Sequence, residues 1–259
     1  MKICLGGVTG WTGSAVAEAI VKADGLDLTA ALSRSKGGSV IEIAGATVPV
    51  FAQLETALQE RSFDVYVDYT SAQAVYANVK LALEHGIFVV VGSSGLSEAQ
   101  YKELEALALS KQVGIIACGN FSITAALAIH FSLLAARYLP NREIIDYASA
   151  AKSDAPSGTT RELAERLAAA PCDAEALSVQ DQTSPGRGAD IAGTRVHSLR
   201  LPGYTLAFDA VFSNPEERLV ISHAAGKSAA PYVDGTLLAI SKVQQQKGLC
   251  RGMDKLLFQ

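Results

Sequence analysis

The chain has 259 residues, of which 49 % are hydrophobic and 19 % charged, a balance typical of a folded globular protein rather than a disordered one. Its net charge of -4 provides no basic surface of the kind that nucleic-acid-binding proteins carry, which excludes that class. The most apolar long stretch, residues 123–139, is interrupted by His130 and Arg137, so we predict a buried helix there and no membrane span.

The first half of the chain alternates short apolar runs with amphipathic segments. We predict strands at Lys2–Gly6, Leu26–Leu32, Val48–Phe51, Asp64–Asp68, Phe88–Val91 and Gly114–Ala117, and helices at Gly13–Ala23, Ala72–Glu84 and about Glu98–Lys111. Ser97 and Gln100 have the spacing of a capping box, which places the start of the third of these helices. Strands that alternate with helices of this length predict parallel βαβ units and a Rossmann-type sheet.

The second half has a different pattern. After a strand at Glu143–Ala148 comes a polar loop, then a helix that ends near Ala170. Alternating segments at Arg195–Leu201, Tyr204–Phe212 and Arg218–His223 predict antiparallel strands, and a final helix covers Val233–Lys247. The predicted fold is therefore α/β, with a Rossmann-type parallel-sheet domain followed by a smaller α+β domain that has an open mixed sheet.

The four cysteines are scattered along the chain without a Cys-x-x-Cys pair; they are Cys4, Cys118, Cys172 and Cys250. This usage is typical of a reducing compartment. The first residues, Met1–Leu5, lead directly into a strand and lack the apolar stretch of a signal peptide, so we expect a cytoplasmic protein. No two of the four histidines are spaced like metal ligands, so we predict no metal site.

A glycine-rich turn follows the first strand and opens the first helix, and it reads Gly7-Val8-Thr9-Gly10-Trp11-Thr12-Gly13. Glycine permits the tight turn and lets the backbone come close to a pyrophosphate. The helix N-terminus adds free N–H groups and a partial positive charge. A plain tight turn is the alternative, but the position at the first βα junction favours dinucleotide binding.

The end of the second strand indicates which dinucleotide is bound. Sites that prefer NAD normally place Asp or Glu there to hold the ribose 2′-hydroxyl. This chain instead reads Ser33-Arg34-Ser35-Lys36, with two bases and no acid. Because Arg34 can bind a 2′-phosphate bidentately, we predict NADPH as the cofactor and NADH as the second choice; a solvated surface loop is the alternative.

The segment Lys152–Thr160 also has the composition of an anion site. Asp154 or Ser157 can cap the following helix, whose N-terminus presents the N–H and hydroxyl donors of residues 157–159. With Lys152 alongside, these donors form a pocket suited to a carboxylate. An ordinary capped helix start explains the same residues equally well.

Taken in order, these motifs resemble the dihydrodipicolinate reductase family of bacterial diaminopimelate and lysine synthesis. The resemblance runs almost end to end and rests on Gly7–Gly13, Val67–Thr70, Val91–Leu96, Asn120–Ile123, Lys152–Thr159, Arg187–Ile191 and Val196–Gly203. The run Asp-Ala-Pro-Ser-Gly-Thr at Asp154–Thr159 is highly specific for the family, whereas the glycine motif is not.

The resemblance implies a reductase of a cyclic imine or enamine dicarboxylate, in a family that is usually homotetrameric. It implies cofactor contacts at Gly7, Thr9, Gly10, Trp11, Thr12, Gly13, Ser33, Arg34, Tyr69, Thr70, Gly92, Ser93, Ser94, Asn120 and Phe121. The implied substrate contacts are Lys152, Ser157, Gly158, Thr159 and Asn120. Residues 1–122, joined by a return of about 233–259, become the dinucleotide-binding domain, and 123–232 become the domain for substrate binding and oligomerisation.

One departure from the family concerns the proton donor. The family normally reads Glu-x-His-His-x-x-Lys before the Asp-Ala-Pro-Ser-Gly-Thr run, and its first histidine is the proposed donor. This chain reads Asp146-Tyr147-Ala148-Ser149-Ala150-Ala151-Lys152, so both histidines are replaced. A further histidine, common in the strand after Pro202-Gly203, is also absent near Leu206 and Ala207.

A missing general acid typically costs roughly 10² to 10⁴ in rate, so a substitute or a different substrate is needed. The candidate catalytic groups are Lys152, Tyr147 and Ser149, or a water molecule, and Lys152 is favoured. A substrate that arrives as a protonated iminium would need no acid. We therefore favour a divergent reductase of a related cyclic or conjugated imine. The alternatives are the lysine-pathway enzyme with a substitute donor and a non-catalytic nucleotide-binding homologue.

Overall fold

A computed structural model describes residues 1–172, 176–177 and 184–258 of the chain. These residues form two compact units, one made of 1–123 together with 229–259 and the other of 124–228. Residues 173–175 and 178–183, which belong to the predicted second domain, lie outside the described residues. Within the described ranges, none of the helices combines the length and the hydropathy needed to cross a bilayer.

Strands and helices alternate along much of the chain and then give way to consecutive strands. The strands are β1 (Lys2–Gly6), β2 (Asp27–Leu32), β3 (Ser39–Ile43), β4 (Ala46–Phe51), β5 (Val65–Asp68), β6 (Phe88–Val91), β7 (Gly114–Ala117), β8 (Asn141–Ala148), β9 (Ala189–Ile191), β10 (Thr194–Arg200), β11 (Leu206–Asn214), β12 (Glu217–Ala225) and β13 (Gly248–Arg251). The helices are α1 (Trp11–Lys22), α2 (Leu54–Glu60), α3 (Val75–Glu84), α4 (Glu98–Lys111), α5 (Ile123–Ala136), α6 (Gly158–Ala168), α7 (Ala230–Val243) and α8 (Met253–Leu257).

The sheet of the first unit has the order β13-β7-β6-β5-β1-β2-β4-β3, and its strands are parallel except for β3, which pairs antiparallel with β4. Strands β5 and β7 are buried at every position, as expected of a parallel sheet covered on both faces. The chain leaves β1 for β2 on one side and later returns to β5 on the other. Such a switch point is where open α/β sheets bind ligands, at the carboxyl ends of the strands.

The second unit contains a mixed sheet of order β12-β11-β8-β10-β9, in which only the β8–β10 pair is parallel among the described strands. Side chains of β8 alternate, with Ile144, Asp146 and Ala148 buried and the residues between them half-buried. The buried face packs with α5 and α6 in an apolar cluster that includes Ile144 and Leu163. The two units together confirm the predicted fold class.

The capping box predicted at the start of α4 is also confirmed. The Ser97 hydroxyl accepts a hydrogen bond from the Gln100 N–H, and the Gln100 side chain accepts one from the Ser97 N–H at 2.9 Å. The strands β3, β9 and β13 and the helices α2 and α8 were not predicted, because each is short and lacks a clear hydrophobic period.

Candidate active site

The turn between β1 and α1 requires glycine at two positions. Gly7 has φ +79°, and a Cβ on it would lie 2.0 Å from the Tyr69 carbonyl oxygen. A Cβ on Gly13 would lie 2.1 Å from the Gly7 oxygen, so this glycine lets α1 start directly against the strand. Both contacts are far below van der Waals distance. The two glycines therefore let the turn pack directly against the loop after β5 and let α1 pack directly against the turn.

The start of α1 is suited to bind an anion. Gly10 occupies the N-cap position, no side chain caps the helix, and the first turn has no acidic residue. The first-turn N–H groups have no acceptor within the helix, and they carry the positive end of its dipole. The Thr9 and Ser33 hydroxyl oxygens lie 3.0 Å apart, which joins this turn to the end of β2.

A cleft of about 660 Å³ opens at the carboxyl ends of β1, β2 and β5. The predicted cofactor residues that line it are Gly7, Thr9, Gly10, Ser33, Arg34, Tyr69 and Thr70. The Arg34 side chain is exposed at this cleft, and Glu55 from the first turn of α2 lines it too. Of the other predicted cofactor residues, Trp11 and Thr12 lie in the first turn of α1, and Ser94 is exposed in the loop after β6.

The buried carboxylate of Asp68 fixes the loops that follow β5 and β6. Its oxygens accept hydrogen bonds from the Thr70 N–H at 3.0 Å, the Thr70 hydroxyl at 2.8 Å and the Ser93 hydroxyl at 2.6 Å. It also accepts from Tyr66, at 2.6 Å. Burial and the neighbouring carboxylate raise the pKa of the Tyr66 phenol well above its ordinary value. Asp68 therefore sets the positions of Thr70 and Ser93, two predicted cofactor residues.

The loops after β5, β6 and β7 meet around the Tyr69 ring. A Cβ on Gly92 would lie 2.3 Å from a carbon of that ring, so the ring rests directly on the Gly92 backbone. The ring of Phe121 lies 6.1 Å away between centroids, at a tilted angle. Asn120 supports the third loop, because its side-chain oxygen accepts a hydrogen bond of 2.8 Å from the Ser122 N–H.

In the second unit, a buried acid holds the start of α6. Asp146 is fully buried, and its carboxylate accepts hydrogen bonds from the Ser157 N–H at 2.9 Å and the Ser157 hydroxyl at 2.7 Å. The Thr160 hydroxyl donates to the same carboxylate at 3.0 Å. Ser157 occupies the N-cap position of α6, but its side chain makes no capping bond. The expectation that it caps the helix is wrong, because its hydroxyl is bound to Asp146.

Arg200 completes this arrangement. Its guanidinium lies 2.7 Å from the Asp146 carboxylate and donates a second hydrogen bond of 2.7 Å to the Asp154 carbonyl oxygen. Burial alone raises the pKa of Asp146, but the hydrogen bonds from Arg200, Ser157 and Thr160 outweigh it and hold the pKa below its ordinary value. The ionised carboxylate thus ties β8, β10 and the loop before α6 together.

Lys152 lies beside the uncapped start of α6 in sequence and is half-buried. Its ammonium is 2.7 Å from the Asp154 carboxylate, and this pair holds the pKa of Asp154 below its ordinary value. Gly158 is exposed, and nothing lies within 4 Å of the Cβ that another residue would add there. Thr159 is half-buried in the first turn. The segment therefore combines one cation with the N-terminus of a helix.

Ala148 and Ser149, at the positions where the resemblance places the family's histidine pair, differ in burial. Ala148 is fully buried at the end of β8, on the face that Asp146 shares, and Ser149 is half-buried in the turn that follows. Tyr147 projects to the opposite face of the sheet, because side chains alternate along a strand. There its hydroxyl donates a hydrogen bond of 2.8 Å to the Asp209 carboxylate, and its ring stacks on the Tyr204 ring with the centroids 5.1 Å apart.

This placement corrects the view of Tyr147 as a candidate proton donor. Its side chain is on the wrong face of the sheet to act beside Asp146 and Ser157. Burial, together with the Asp209 carboxylate, also raises the pKa of Tyr147 to about 12. The phenol therefore keeps its proton and directs it in a hydrogen bond to Asp209, on the opposite face from Asp146 and Ser157.

Sequence reasoning assigned no role to Asp68, Asp146 or Arg200. An acid inside an apolar strand was the available signal for the first two, but their partners are distant in sequence and could not be identified.

Among residues 1–172, 176–177 and 184–258, no group of three or more His, Cys, Asp or Glu side chains is arranged to hold a metal ion.

Comparison with protein families gives two consecutive matches. The family model described as dihydrodipicolinate reductase, N-terminus, matches residues 1–121, and the one described as dihydrodipicolinate reductase, C-terminus, matches residues 124–257. The 4-hydroxy-tetrahydrodipicolinate reductase of Syntrophomonas wolfei is 36 % identical over 262 residues, covering 99 % of this chain and 98 % of the relative. The enzyme of the same name from Listeria monocytogenes is 32 % identical, covering 99 % of this chain and all of the relative.

Solved structures show the same similarity. The structure described as dipicolinate-bound dihydrodipicolinate reductase from Paenisporosarcina sp. TG-14 has a TM-score of 0.85 and 26 % identity, covering 98 % of both chains. An amine dehydrogenase from Mycobacterium smegmatis has a TM-score of 0.68 at 15 % identity, covering 98 % of this chain and 95 % of its own, and this likeness concerns the fold alone.

Proposed function

Because the chain belongs to the dihydrodipicolinate reductase family, we propose that it is an NADPH-dependent reductase of a cyclic or conjugated imine or enamine that carries a carboxylate. The reaction on an imine adds a hydride to the carbon and a proton to the nitrogen of the C=N bond. We propose a substrate that differs from the one named for the relatives, because Ala148 and Ser149 stand where the family has its histidine pair.

The first unit fits a nicotinamide dinucleotide. Gly7 and Gly13 add no side chain to the turn at the end of β1, and the start of α1 has no side-chain cap, so its N–H groups suit a pyrophosphate. The cleft of about 660 Å³ lies within the range usual for small-molecule sites. We assign the exposed Arg34 to the 2′-phosphate of NADPH. The nicotinamide supplies the hydride when the cofactor is bound.

The second unit fits a carboxylate, and the observation that carries the proposal is the Asp146 network. Its hydrogen bonds fix Ser157 at the N-terminus of α6 while leaving the helix uncapped. We propose that the substrate carboxylate binds to the first-turn N–H groups of Gly158 and Thr159 and to the Lys152 ammonium. A helix N-terminus and a lysine together supply charge-assisted donors for such a group.

The proton must come from a group other than a histidine of β8. Ala148 has no proton to donate, and Tyr147 is turned to the other face of the sheet. We propose that Lys152 Nζ donates the proton, with the Ser149 hydroxyl as the second candidate, unless the substrate arrives as a protonated iminium. Lys152 then serves both to bind the carboxylate and to supply the proton, so its loss is expected to affect both KM and kcat.

A second candidate function is the reaction of the relatives themselves. Relatives that match the chain from end to end are called 4-hydroxy-tetrahydrodipicolinate reductases, which favours that substrate with Lys152 as the substitute donor. A non-catalytic nucleotide-binding protein is disfavoured by the retention of Lys152 together with the whole Ser157–Thr159 segment. The pathway reaction and the divergent reaction differ in substrate, so turnover assays separate them.

The test is an assay of the purified protein with NADPH or NADH against cyclic and conjugated imino acids, 4-hydroxy-tetrahydrodipicolinate included. We expect Lys152→Ala to lower kcat/KM on the best substrate by roughly 100-fold or more, since a general acid is worth 10² to 10⁴ in rate. The exposed Lys102 of α4 provides the control, and Lys102→Ala should retain full activity. Unchanged activity of Lys152→Ala would show that the assignment is wrong, and NADPH binding without oxidation by any compound would favour the non-catalytic alternative.

A further inference from the structure

One turn of α7 contacts three loops of the cofactor site, although no motif marks it. Tyr232, Gly235 and Thr236 belong to this turn, which lies more than a hundred residues after the last of those loops. The Tyr232 ring packs edge-on against Trp11, at the start of α1, with centroids 5.9 Å apart. A Cβ on Gly235 would lie 1.9 Å from the Phe121 carbonyl oxygen, so α7 is in direct contact with the loop after β7.

Thr236 makes the third contact, with the loop after β5. This threonine is fully buried, and its hydroxyl oxygen lies 2.6 Å from the Tyr69 hydroxyl oxygen. The Thr236 hydroxyl donates its own proton to the Tyr232 carbonyl oxygen at 2.7 Å. Because a hydroxyl has only one proton, Tyr69 must be the donor in the first bond. The Tyr69 proton is therefore directed into the protein and away from the cleft.

This bond fixes the ring of a residue that lines the cleft. Tyr69 lines the cleft, and its ring is confined on one side by the Gly92 backbone. Burial raises the pKa of the Tyr69 phenol above its usual range, so the phenol stays protonated and keeps donating to Thr236. Without the threonine hydroxyl, the phenol would be left without its acceptor in a largely buried place, and the ring would have to move to reach water.

We propose that Thr236 is a positioning residue for the nicotinamide cofactor, which it serves by fixing the Tyr69 ring against the cleft from α7. The proposal rests on the assignment of the cleft to a nicotinamide dinucleotide. Thr236 touches neither cofactor nor substrate in this role. It acts through Tyr69, as Gly235 acts through the loop of Phe121 and Tyr232 through Trp11.

The experiment measures dissociation constants for NADPH and NADH by quenching of Trp11, the only tryptophan of the chain. Thr236→Val removes the hydroxyl with little change of shape and should weaken binding of the preferred cofactor roughly 3- to 10-fold, the size expected for one buried hydrogen bond. Thr236→Ser keeps the hydroxyl and should bind within about twofold of the wild type. Adding Tyr69→Phe to Thr236→Val should restore part of the loss, because no hydroxyl is then left unpaired.

The matched control is Thr194→Val, which removes a hydroxyl that is also fully buried, in the other unit. It should lower the melting temperature without changing the dissociation constants. Wild-type affinity in Thr236→Val, or an equal loss in Thr194→Val, would overturn the positioning role. A wild type that binds neither NADPH nor NADH would instead overturn the cofactor assignment of the proposed function, and the positioning role with it.

Discussion

At the scale of single residues, two buried carboxylates hold the loops of the candidate site. Asp68 accepts hydrogen bonds from Thr70 and Ser93 in the first unit, and Asp146 accepts them from Ser157 and Arg200 in the second. A buried acid is stable only when its polar atoms are hydrogen-bonded, as those of both residues are. Each acid therefore makes the positions of its partners depend on one another.

Asp146→Asn tests this dependence in the second unit. Breaking a buried ion pair by removing one charge typically costs about 3 kcal/mol, so we expect a loss of that order in the free energy of unfolding by urea. The pKa of Asp146 is depressed in the folded protein, so its contribution is present above the unfolded value of about 3.9 and is lost as pH falls through the lower folded value. The wild-type advantage over the variant should therefore be constant from about pH 5 to 8 and shrink below about pH 4.

Asp209→Asn is the matched control, because Asp209 is a partly buried acid on the opposite face of the same sheet, bound to Tyr147. We expect Asp209→Asn to leave affinity for a pyridine dicarboxylate unchanged, whereas Asp146→Asn should weaken it. Equal affinities in the wild type and Asp146→Asn would contradict the view that this acid organises the carboxylate site.

What could be predicted at this scale depended on whether neighbours are close in sequence. The residues of Gly7–Gly13 and of Lys152–Thr159 are contiguous, so their shared role was visible from composition alone. The partners of Asp146 lie on a loop, a helix and another strand, up to 54 residues away. Alternation along the predicted strand Glu143–Ala148 implies that Tyr147 lies opposite Asp146, but the sequence does not show which of the two faces packs against α6.

At the scale of elements, the start of α4 differs from the starts of α1 and α6. The helices α1 and α6 start without a side-chain cap, and both starts belong to the candidate site. The helix α4 starts with a complete capping box. The absence of a side-chain cap does not by itself mark a binding site, because α2, α3, α7 and α8 also start without one, whereas the complete box of α4 indicates a structural role for that start.

Ser97→Ala tests the structural role of the α4 cap. Loss of an N-cap serine costs about 1 kcal/mol, and we expect this decrease in the free energy of unfolding with no change in cofactor affinity. Ser110→Ala is a suitable control on the same helix, because that exposed hydroxyl donates only to the Leu107 carbonyl oxygen, and its loss should cost less than about 0.5 kcal/mol. Equal stability of the wild type and Ser97→Ala would contradict the importance of the cap.

The long elements were predictable because their hydrophobic periods extend over two turns or more. Some of the short ones were not. The strand β3 exposes alternate residues at a sheet edge, and β13 lacks the continuous apolar run by which the equally short strands β5, β6 and β7 were predicted. The contacts of α7 with the candidate site could not be predicted either, because the Tyr69–Thr236 hydrogen bond joins residues 167 positions apart.

At the scale of the whole molecule, we propose that each unit provides one part of the chemistry. Under this proposal the first unit binds the dinucleotide in its cleft, and the second binds the substrate carboxylate with Lys152. The fold follows from the alternation of strands and helices and from the match to relatives along the full chain. The proposed departure from the family at Ala148 and Ser149 leaves that fold unchanged, so we expect its consequence in the reaction.

The most direct test of this account is kcat/KM for 4-hydroxy-tetrahydrodipicolinate with NADPH, measured beside the Listeria monocytogenes relative under identical conditions. We predict a value lower by roughly 10² to 10⁴, because we propose that Ala148 stands where the family has its general acid and that the substrate differs. A value within about threefold of the relative would contradict the claim of an altered substrate, since a general acid is worth far more than that factor.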